Sequence, residues 1–149
     1  MTGRPYKRPE SVLVLVYTRA GEVLLLRRCE PADFWQSVTG SLREGESAAE
    51  AAVRELAEET GLLAAGLRDT GETRTFPIVP PWSARYAPGV TVNTEHLFLL
   101  ELAERQPITL SPHEHGEFRW LRAEEAAAKA SSWTNREAIL AHVPGDGRR

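Results

Sequence analysis

Three glutamates in this chain are spaced to share one face of a helix. Glu55, Glu58 and Glu59 stand at i, i+3 and i+4, which places their side chains side by side on an α-helix. Like charges at this spacing destabilise a helix by roughly 0.2–0.5 kcal/mol per pair. A hard divalent cation reverses the effect, because Mg²⁺ binds one or two carboxylates together with phosphate oxygens of a substrate. The triplet indicates a cation site, and a solvated acidic face is the alternative for such a run alone.

The segment that carries these glutamates has the signals of a helix of defined length. Ser47 and Glu50 form a capping box at its start. Residues 48–59 are rich in Ala, Glu and Leu, and Gly61 supplies the left-handed residue that ends a helix. The face that we expect to pack against a sheet holds Ala49, Ala52, Val53 and Leu56.

A longer pattern surrounds the helix. Five residues separate Gly40 from Glu46, and seven separate Glu46 from Arg54; Glu55, Leu56, Glu58, Glu59, Gly61 and Leu62 follow in fixed order. This pattern resembles the Nudix box, so the chain is identified as a member of the Nudix hydrolases. The resemblance implies hydrolysis of a diphosphate linked to another group. It also favours the cation site over the solvated acidic face.

The resemblance implies a role for each box residue. Arg54 is expected to pair with Glu46 and to hold the loop 41–45 against the helix. The carbonyl of Gly40 is expected to join Glu55, Glu58, Glu59 and Glu114 around Mg²⁺, for which Mn²⁺ can substitute. The catalytic set is expected to comprise Glu46, Arg54, Glu55, Glu58, Glu59 and Glu114, with Glu59 or Glu114 accepting the proton of the attacking water. Glu114 lies between His113 and His115, but consecutive residues rarely point at one zinc site.

The remaining pattern predicts the elements that position these residues. Apolar or alternating runs predict strands at 11–17, 23–28, 72–79, 91–102 and 117–121. Helices are predicted at 122–130 and 134–142, the second opened by a capping box from Thr134 to Glu137. Strands on both sides of a helix permit a layered α/β domain. The resemblance selects the Nudix fold, a mixed curved sheet sandwiched between helices.

Length and composition bound the class of protein. The 149 residues predict one domain, 1–149, with a polar arm at 1–9 and a flexible tail at 144–149. A net charge of −3 gives no support for a nucleic-acid surface. A single cysteine, Cys29, excludes an internal disulfide, and no apolar run is long enough to span a membrane or direct secretion. We expect a cytoplasmic protein with a small-molecule substrate, and the oligomeric state stays open.

Four stretches outside the box narrow the substrate. Residues 6–9, 33–40, 85–95 and 132–139 together resemble the bacterial Nudix enzymes that convert dihydroneopterin triphosphate to dihydroneopterin monophosphate and pyrophosphate in folate biosynthesis. The loop 77–84 departs from that subfamily. The substrate-binding residues implied are Lys7, Arg28 and Arg85 for the triphosphate, and Thr39, Phe76, Ser132, Trp133 and Asn135 for the pterin.

Two other functions are compatible with the box. One is a broad nucleoside triphosphate pyrophosphatase that acts on dATP or oxidised nucleotides. The other is a catalytically silent Nudix module that only binds its ligand. Such modules usually lose box carboxylates, whereas Glu46, Glu55, Glu58 and Glu59 are all present here.

Overall fold

The computed structural model describes residues 6–145, so parts of the predicted arm and tail, residues 1–5 and 146–149, lie outside it. The described chain forms seven strands, three α-helices and one short 3₁₀ turn. In chain order these are β1 (Glu10–Thr18), β2 (Glu22–Arg28), β3 (Trp35–Gln36), β4 (Val38–Ser41), α1 (Ala48–Thr60), β5 (Arg68–Pro77), the 3₁₀ turn (Trp82–Arg85), β6 (Val92–Leu102), β7 (His115–Arg122), α2 (Ala123–Lys129) and α3 (Trp133–His142).

All seven strands form one mixed sheet, as predicted. Its main path runs β3-β2-β1-β6-β5, while β4 pairs with β1 and β7 pairs with β2. The central pair, β1 and β6, is parallel, and the other pairs are antiparallel. The register places Val12 between Gly40 on β4 and His96 on β6. The Nudix box therefore begins beside the middle of the sheet.

The core lies on both faces of this sheet, because β1 is buried on both sides. Leu13 and Leu15 point to one face and pack with Ile139 of α3. Val12 and Val14 point to the other face and pack with Leu56 of α1. Successive side chains of a strand alternate in this way. The result is the predicted α/β sandwich, with α1 on one side and α2 and α3 on the other. No helix within residues 6–145 is long and apolar enough to cross a membrane.

The predicted packing face of α1 is wrong in part. Ala52 and Leu56 are buried as expected, but Ala49 is exposed and Val53 is 45% exposed. The buried stripe instead includes Glu55 and Glu59. The sequence predicts that the glutamates lie on a different face from the one that packs, whereas two of their carboxylates face inward.

Two predicted boundaries are also wrong. The start of α3 is capped by Ser132, whose hydroxyl accepts a hydrogen bond from the Asn135 amide, rather than by Thr134. Thr134 is 4% exposed and lies within the helix. β5 begins at Arg68, four residues before the predicted start, because its alternating polar residues leave one face open to solvent.

Candidate active site

The box helix α1 has the predicted caps. Ser47 and Glu50 exchange the two hydrogen bonds of a capping box, and Gly61 adopts a left-handed conformation with φ of 75°. These caps fix the ends of the helix, and therefore the direction in which Glu55 and Glu59 point. Both side chains lie at the interface with β4 rather than in solvent.

The loop before α1 is tied to the helix by Arg54. Its Nε and Nη2 atoms donate to the two carboxylate oxygens of Glu46, each at 2.8 Å, and Nη2 also donates to the Ser41 carbonyl at 3.1 Å. The Arg54 guanidinium holds the pKa of Glu46 at about 2. This bidentate pair confirms the predicted contact and anchors the loop 41–46 beside the acidic face.

Gly40 lies directly against the carboxylate of Glu55. A Cβ atom at residue 40 would stand 1.6 Å from Glu55 Oε2, so the flexible Glu55 side chain would have to move. Burial raises the pKa of Glu55, and the nearby Arg54 guanidinium lowers it. The missing side chain at residue 40 therefore makes the space that Glu55 occupies.

Glu59 is the most deeply buried of the acidic side chains on α1. It is 2% exposed, and within the described chain its Oε1 atom has no hydrogen-bond partner. Burial first, and then the charges of Glu55 and Glu114, raise the pKa of Glu59 well above its usual value, while the Thr39 backbone lowers it. A carboxylate in such a place needs a cation or a proton.

Glu58 and Glu114 flank this buried pair from the surface. Glu58 is turned toward Arg54 and Arg43, at 3.3 and 3.4 Å. Glu114 is exposed on the loop before β7, and its carbonyl accepts a hydrogen bond from Cys29 at 2.9 Å. That bond brings the Glu114 loop to the end of β2. The charge of Glu114 acts on the pKa values of both Glu55 and Glu59, so it belongs to the same cluster.

Three cations face the acidic cluster. Arg28 ends β2, Arg85 ends the 3₁₀ turn, and the Lys7 amide donates to the Arg85 carbonyl at 2.9 Å. Burial, followed by the charges of Arg85 and Arg28, lowers the pKa of Lys7, and the charges of Glu55 and Glu114 raise it. Three cations held so close together favour a multiply charged anion.

The residues predicted to hold the pterin are placed differently. Trp133 is 41% exposed, and Phe76 is partly buried on β5. Ser132 caps α3, and the Thr39 hydroxyl donates to the Val12 carbonyl at 2.8 Å. Asn135 is buried, and it exchanges bonds of 2.7 and 2.9 Å with the amide and hydroxyl of Ser37. Their substrate contacts stay predictions.

Trp82 is one site residue that the sequence analysis missed. The Arg28 guanidinium lies over its ring at 4.9 Å from the centroid, and Phe34 packs on it edge-to-face at 5.5 Å. An open cavity of about 510 Å³ adjoins this cluster, and it is lined in part by Arg28, Trp82 and Arg85. Trp82 lies in the loop 77–84, which departs from the resembled subfamily. Its aromatic side chain is therefore the one signal in the sequence that indicates a site residue there. It holds Arg28 toward the cavity by a cation–π contact.

His115 is the second residue that was missed, and it lies beneath Glu59. It is 2% exposed, and its Nε2 atom lies 4.0 Å from Glu59 Oε1 and 3.3 Å from the Gln36 amide nitrogen. Burial, and then the charge of Arg28, lower the pKa of His115 to about 4, so the ring is neutral at pH 7. His113, two residues earlier, is exposed, so the two histidines do not point at one site.

The acidic cluster fits a hard divalent cation. All of its donors are oxygen atoms, and Glu59 Oε1 is buried without a partner. Within residues 6–145, no group of three or more Asp, Glu, His or Cys side chains lies close enough together to form a complete metal site. Mg²⁺ does not need one, because it keeps water and takes phosphate oxygens beside one or two carboxylates.

Comparison with known proteins places this geometry in a family. The NUDIX domain model matches residues 7–143. Dihydroneopterin triphosphate diphosphatase of Escherichia coli K12 is 45% identical over 93% of this chain and 95% of its own length. The enzyme of the same name from Haemophilus influenzae is 40% identical, over 93% of this chain and 89% of its own.

The solved structures agree. The structure of the E. coli dihydroneopterin triphosphate pyrophosphohydrolase superimposes with a TM-score of 0.88 and covers 94% of this chain and 98% of that one, at 45% identity. The chain belongs to the Nudix family.

Proposed function

We propose that this protein is a Mg²⁺-dependent hydrolase that converts dihydroneopterin triphosphate to dihydroneopterin monophosphate and pyrophosphate. The observation that carries the proposal is the 45% identity, over 93% of the chain, to an enzyme of that name. The site supports it, because buried carboxylates and clustered cations stand together, as a magnesium-bound triphosphate requires.

The three cations bind the triphosphate in this proposal. Arg28 and Arg85 line the open cavity, Lys7 lies close enough to both for their charges to lower its pKa, and Trp82 keeps the Arg28 guanidinium turned toward the cavity. An arginine presents parallel N–H donors that match phosphate oxygens, and a lysine adds a compact charge. These contacts orient the anhydride so that the acidic cluster faces its reacting end.

Glu55, Glu59, Glu58 and Glu114, with the Gly40 carbonyl, would hold the divalent cation. Bound there, the cation would neutralise phosphate charge and make a water molecule more acidic. The family uses divalent cations; Mg²⁺ itself and the cytoplasmic location stay predictions.

A carboxylate of the cluster also accepts the proton of the attacking water. The oxygen of water joins one phosphorus of the anhydride, the bond to the bridging oxygen breaks, and pyrophosphate leaves with the electron pair. Glu59 or Glu114 accepts the proton that the water loses. Glu59 is held by the Thr39 backbone, and its deep burial keeps bulk water away from the reacting groups. No covalent intermediate is needed.

A panel of triphosphates tests the function. Purified protein with Mg²⁺ is mixed with dihydroneopterin triphosphate, dATP or 8-oxo-dGTP, and added pyrophosphatase converts the released pyrophosphate to phosphate, which is measured. We expect one dominant signal, from the pterin ester. Similar signals from all three would indicate a broad nucleotide enzyme, and no signal from any would indicate a silent binding module. Either result would overturn the proposal.

A further inference from the structure

A second set of buried polar side chains lies across the sheet from α1. Asn93 and Glu95 alternate along β6 with Leu97, which packs in the core cluster beneath α3. All three side chains therefore point to the α3 face. Asn93 is 2% exposed and Glu95 is 7% exposed. Neither takes part in the proposed hydrolysis, so their burial needs another explanation.

A narrow cavity stands in front of Glu95. Its walls are Leu13, Arg74, Leu97, Thr134 and Ala138, together with Glu72 and Glu95 itself. Its volume is about 10 Å³, which admits one group the size of a water molecule. An exocyclic amino group has that size. The cavity therefore has room for one such group beside the Glu95 side chain.

Two buried acceptor groups, those of Asn93 and Glu95, lie on this face of β6. The Asn93 amide nitrogen donates to the Ser11 hydroxyl at 2.8 Å, whereas its Oδ1 atom, within the described chain, has no partner. Burial raises the pKa of Glu95 to about 7, although the Thr134 hydroxyl and the Arg74 charge lower it. Asn93 Oδ1 is thus a buried acceptor without a donor, and Glu95 is a buried carboxyl group hydrogen-bonded to Thr134 with Arg74 beside it.

The register links this cavity to the phosphate site. Glu95 pairs with Ser11, and Ser11 pairs with Ser41, in the row next to the one that contains Gly40. Two strand spacings separate Glu95 from Ser41, about 10 Å. This in-plane distance is short enough for the triphosphate side chain of a ligand whose ring lies at Glu95, and that side chain would extend to the opposite, α1 face of the sheet.

We propose that Glu95 recognises the ring of the substrate by accepting both N–H donors of a 2-amino-4-oxo-pyrimidine edge. This inference rests on the proposed function, because it assigns the ring-binding part of the same site. In a pterin, the 2-amino group and N3–H point in parallel and match the two oxygens of a carboxylate. The amino group fills the narrow cavity, and Asn93 Oδ1 stands nearby on the same strand face.

This assignment predicts how the enzyme discriminates between rings. Guanine presents the same pair of donors as a pterin. Adenine presents an acceptor, N1, beside its amino group, so it repels a carboxylate at that place. A site built around a particular hydrogen-bonding edge rejects analogues that lack it, because its buried groups then stay unpaired.

The test compares Glu95→Gln with wild-type protein on three substrates: dihydroneopterin triphosphate, dGTP and dATP. Glutamine keeps the shape of the side chain and removes one of the two acceptors. We expect kcat/KM to fall about 10-fold or more for the pterin ester and for dGTP, mainly through KM, and to stay within about 2-fold for dATP. Glu101→Gln, an exposed position on the same strand, is the matched control.

The outcomes separate this inference from the proposed function. If wild-type protein hydrolyses the pterin ester and Glu95→Gln leaves the ratios of kcat/KM among the three substrates unchanged, Glu95 does not recognise the ring. An equal loss on all three substrates, with a lowered melting temperature, would assign Glu95 a structural role and also overturn the inference. Absence of wild-type activity on the pterin ester would overturn the proposed function, and the dGTP-to-dATP ratio would still decide the role of Glu95.

Discussion

At the scale of single residues, the site depends on carboxylates that the fold holds in unfavourable surroundings. Glu59 is buried beside Glu55, and burial, followed by the charges of Glu55 and Glu114, raises the pKa of Glu59. This arrangement destabilises the folded state unless a cation binds. Buried carboxylates with raised pKa values are typical of sites that bind a ligand.

Gly40→Ala tests the contact that makes room for Glu55. The new Cβ would meet Glu55 Oε2 at 1.6 Å, so the carboxylate must move. We expect turnover to fall about 100-fold, because small displacements of positioned groups have effects of that size. Gly116→Ala is the control, since the nearest atom to its Cβ, Arg27 Nη2, lies at 3.5 Å. Equal activity in the two variants would contradict the assignment of Gly40.

At the scale of elements, two polar tethers hold the layers in register. Arg54 and Glu46 fasten the box loop to α1, and Asn135 fastens α3 to the segment between β3 and β4 through Ser37. Each tether is mostly shielded from solvent. Loss of one partner leaves the other buried and unpaired, which is why such contacts matter more than surface pairs.

Glu46→Gln is expected to weaken the fold in a pH-dependent way. The folded pKa of Glu46 is about 2, below its usual 4.5, so the pair stabilises the protein above pH 4.5 and is lost as pH falls toward 2. We expect a loss of about 2 kcal/mol at pH 7 that shrinks on acidification. Urea unfolding across pH measures it, with the exposed Glu44→Gln as control. A loss independent of pH would contradict the ion pair.

Asn135→Ala separates a structural role from substrate binding. The substitution leaves the buried Ser37 amide without its acceptor, so we expect a loss of about 2 kcal/mol in the free energy of unfolding. The exposed neighbour Arg136→Ala should be nearly neutral. A variant that keeps full stability but loses affinity for the pterin ester would show that Asn135 acts on the substrate instead.

At the scale of the whole molecule, the sheet separates two functions. Its α1 face holds the acidic cluster, and its α3 face holds the cavity at Glu95. One substrate that contacts both would extend from one face of the sheet to the other.

The pH dependence of the free energy of unfolding tests the surroundings of Glu95 on the α3 face. The folded pKa of Glu95 is raised to about 7 from 4.5, so the folded protein retains a proton that the unfolded chain releases. Stability from this group therefore falls as pH rises from 4.5 to 7. We expect Glu95→Gln to flatten this slope and to stabilise the protein at pH 8 by up to about 3 kcal/mol. Melting curves that keep the wild-type slope would contradict it.

Local signals predicted much of the fold and the catalytic helix. The capping box at Ser47, the Gly61 cap and the pair of Arg54 with Glu46 depend on residues close in sequence, and all are confirmed. Burial of Glu59 and His115 could not be predicted, because it depends on how β4 and β7 pack around the helix. Trp82 reaches Arg28 through the packing of the 3₁₀ turn, and Glu95 reaches its place through strand pairing; a single sequence specifies neither.

The measurement that tests the central claim most directly is turnover of dihydroneopterin triphosphate by Glu59→Gln with saturating Mg²⁺. Glutamine keeps the shape but removes the charge that would bind the cation and accept the proton. We predict a fall of about 10²–10⁴-fold, with a melting temperature no lower than that of wild type. The exposed Glu125→Gln on α2 should keep full activity. Near-normal turnover by Glu59→Gln would contradict the account.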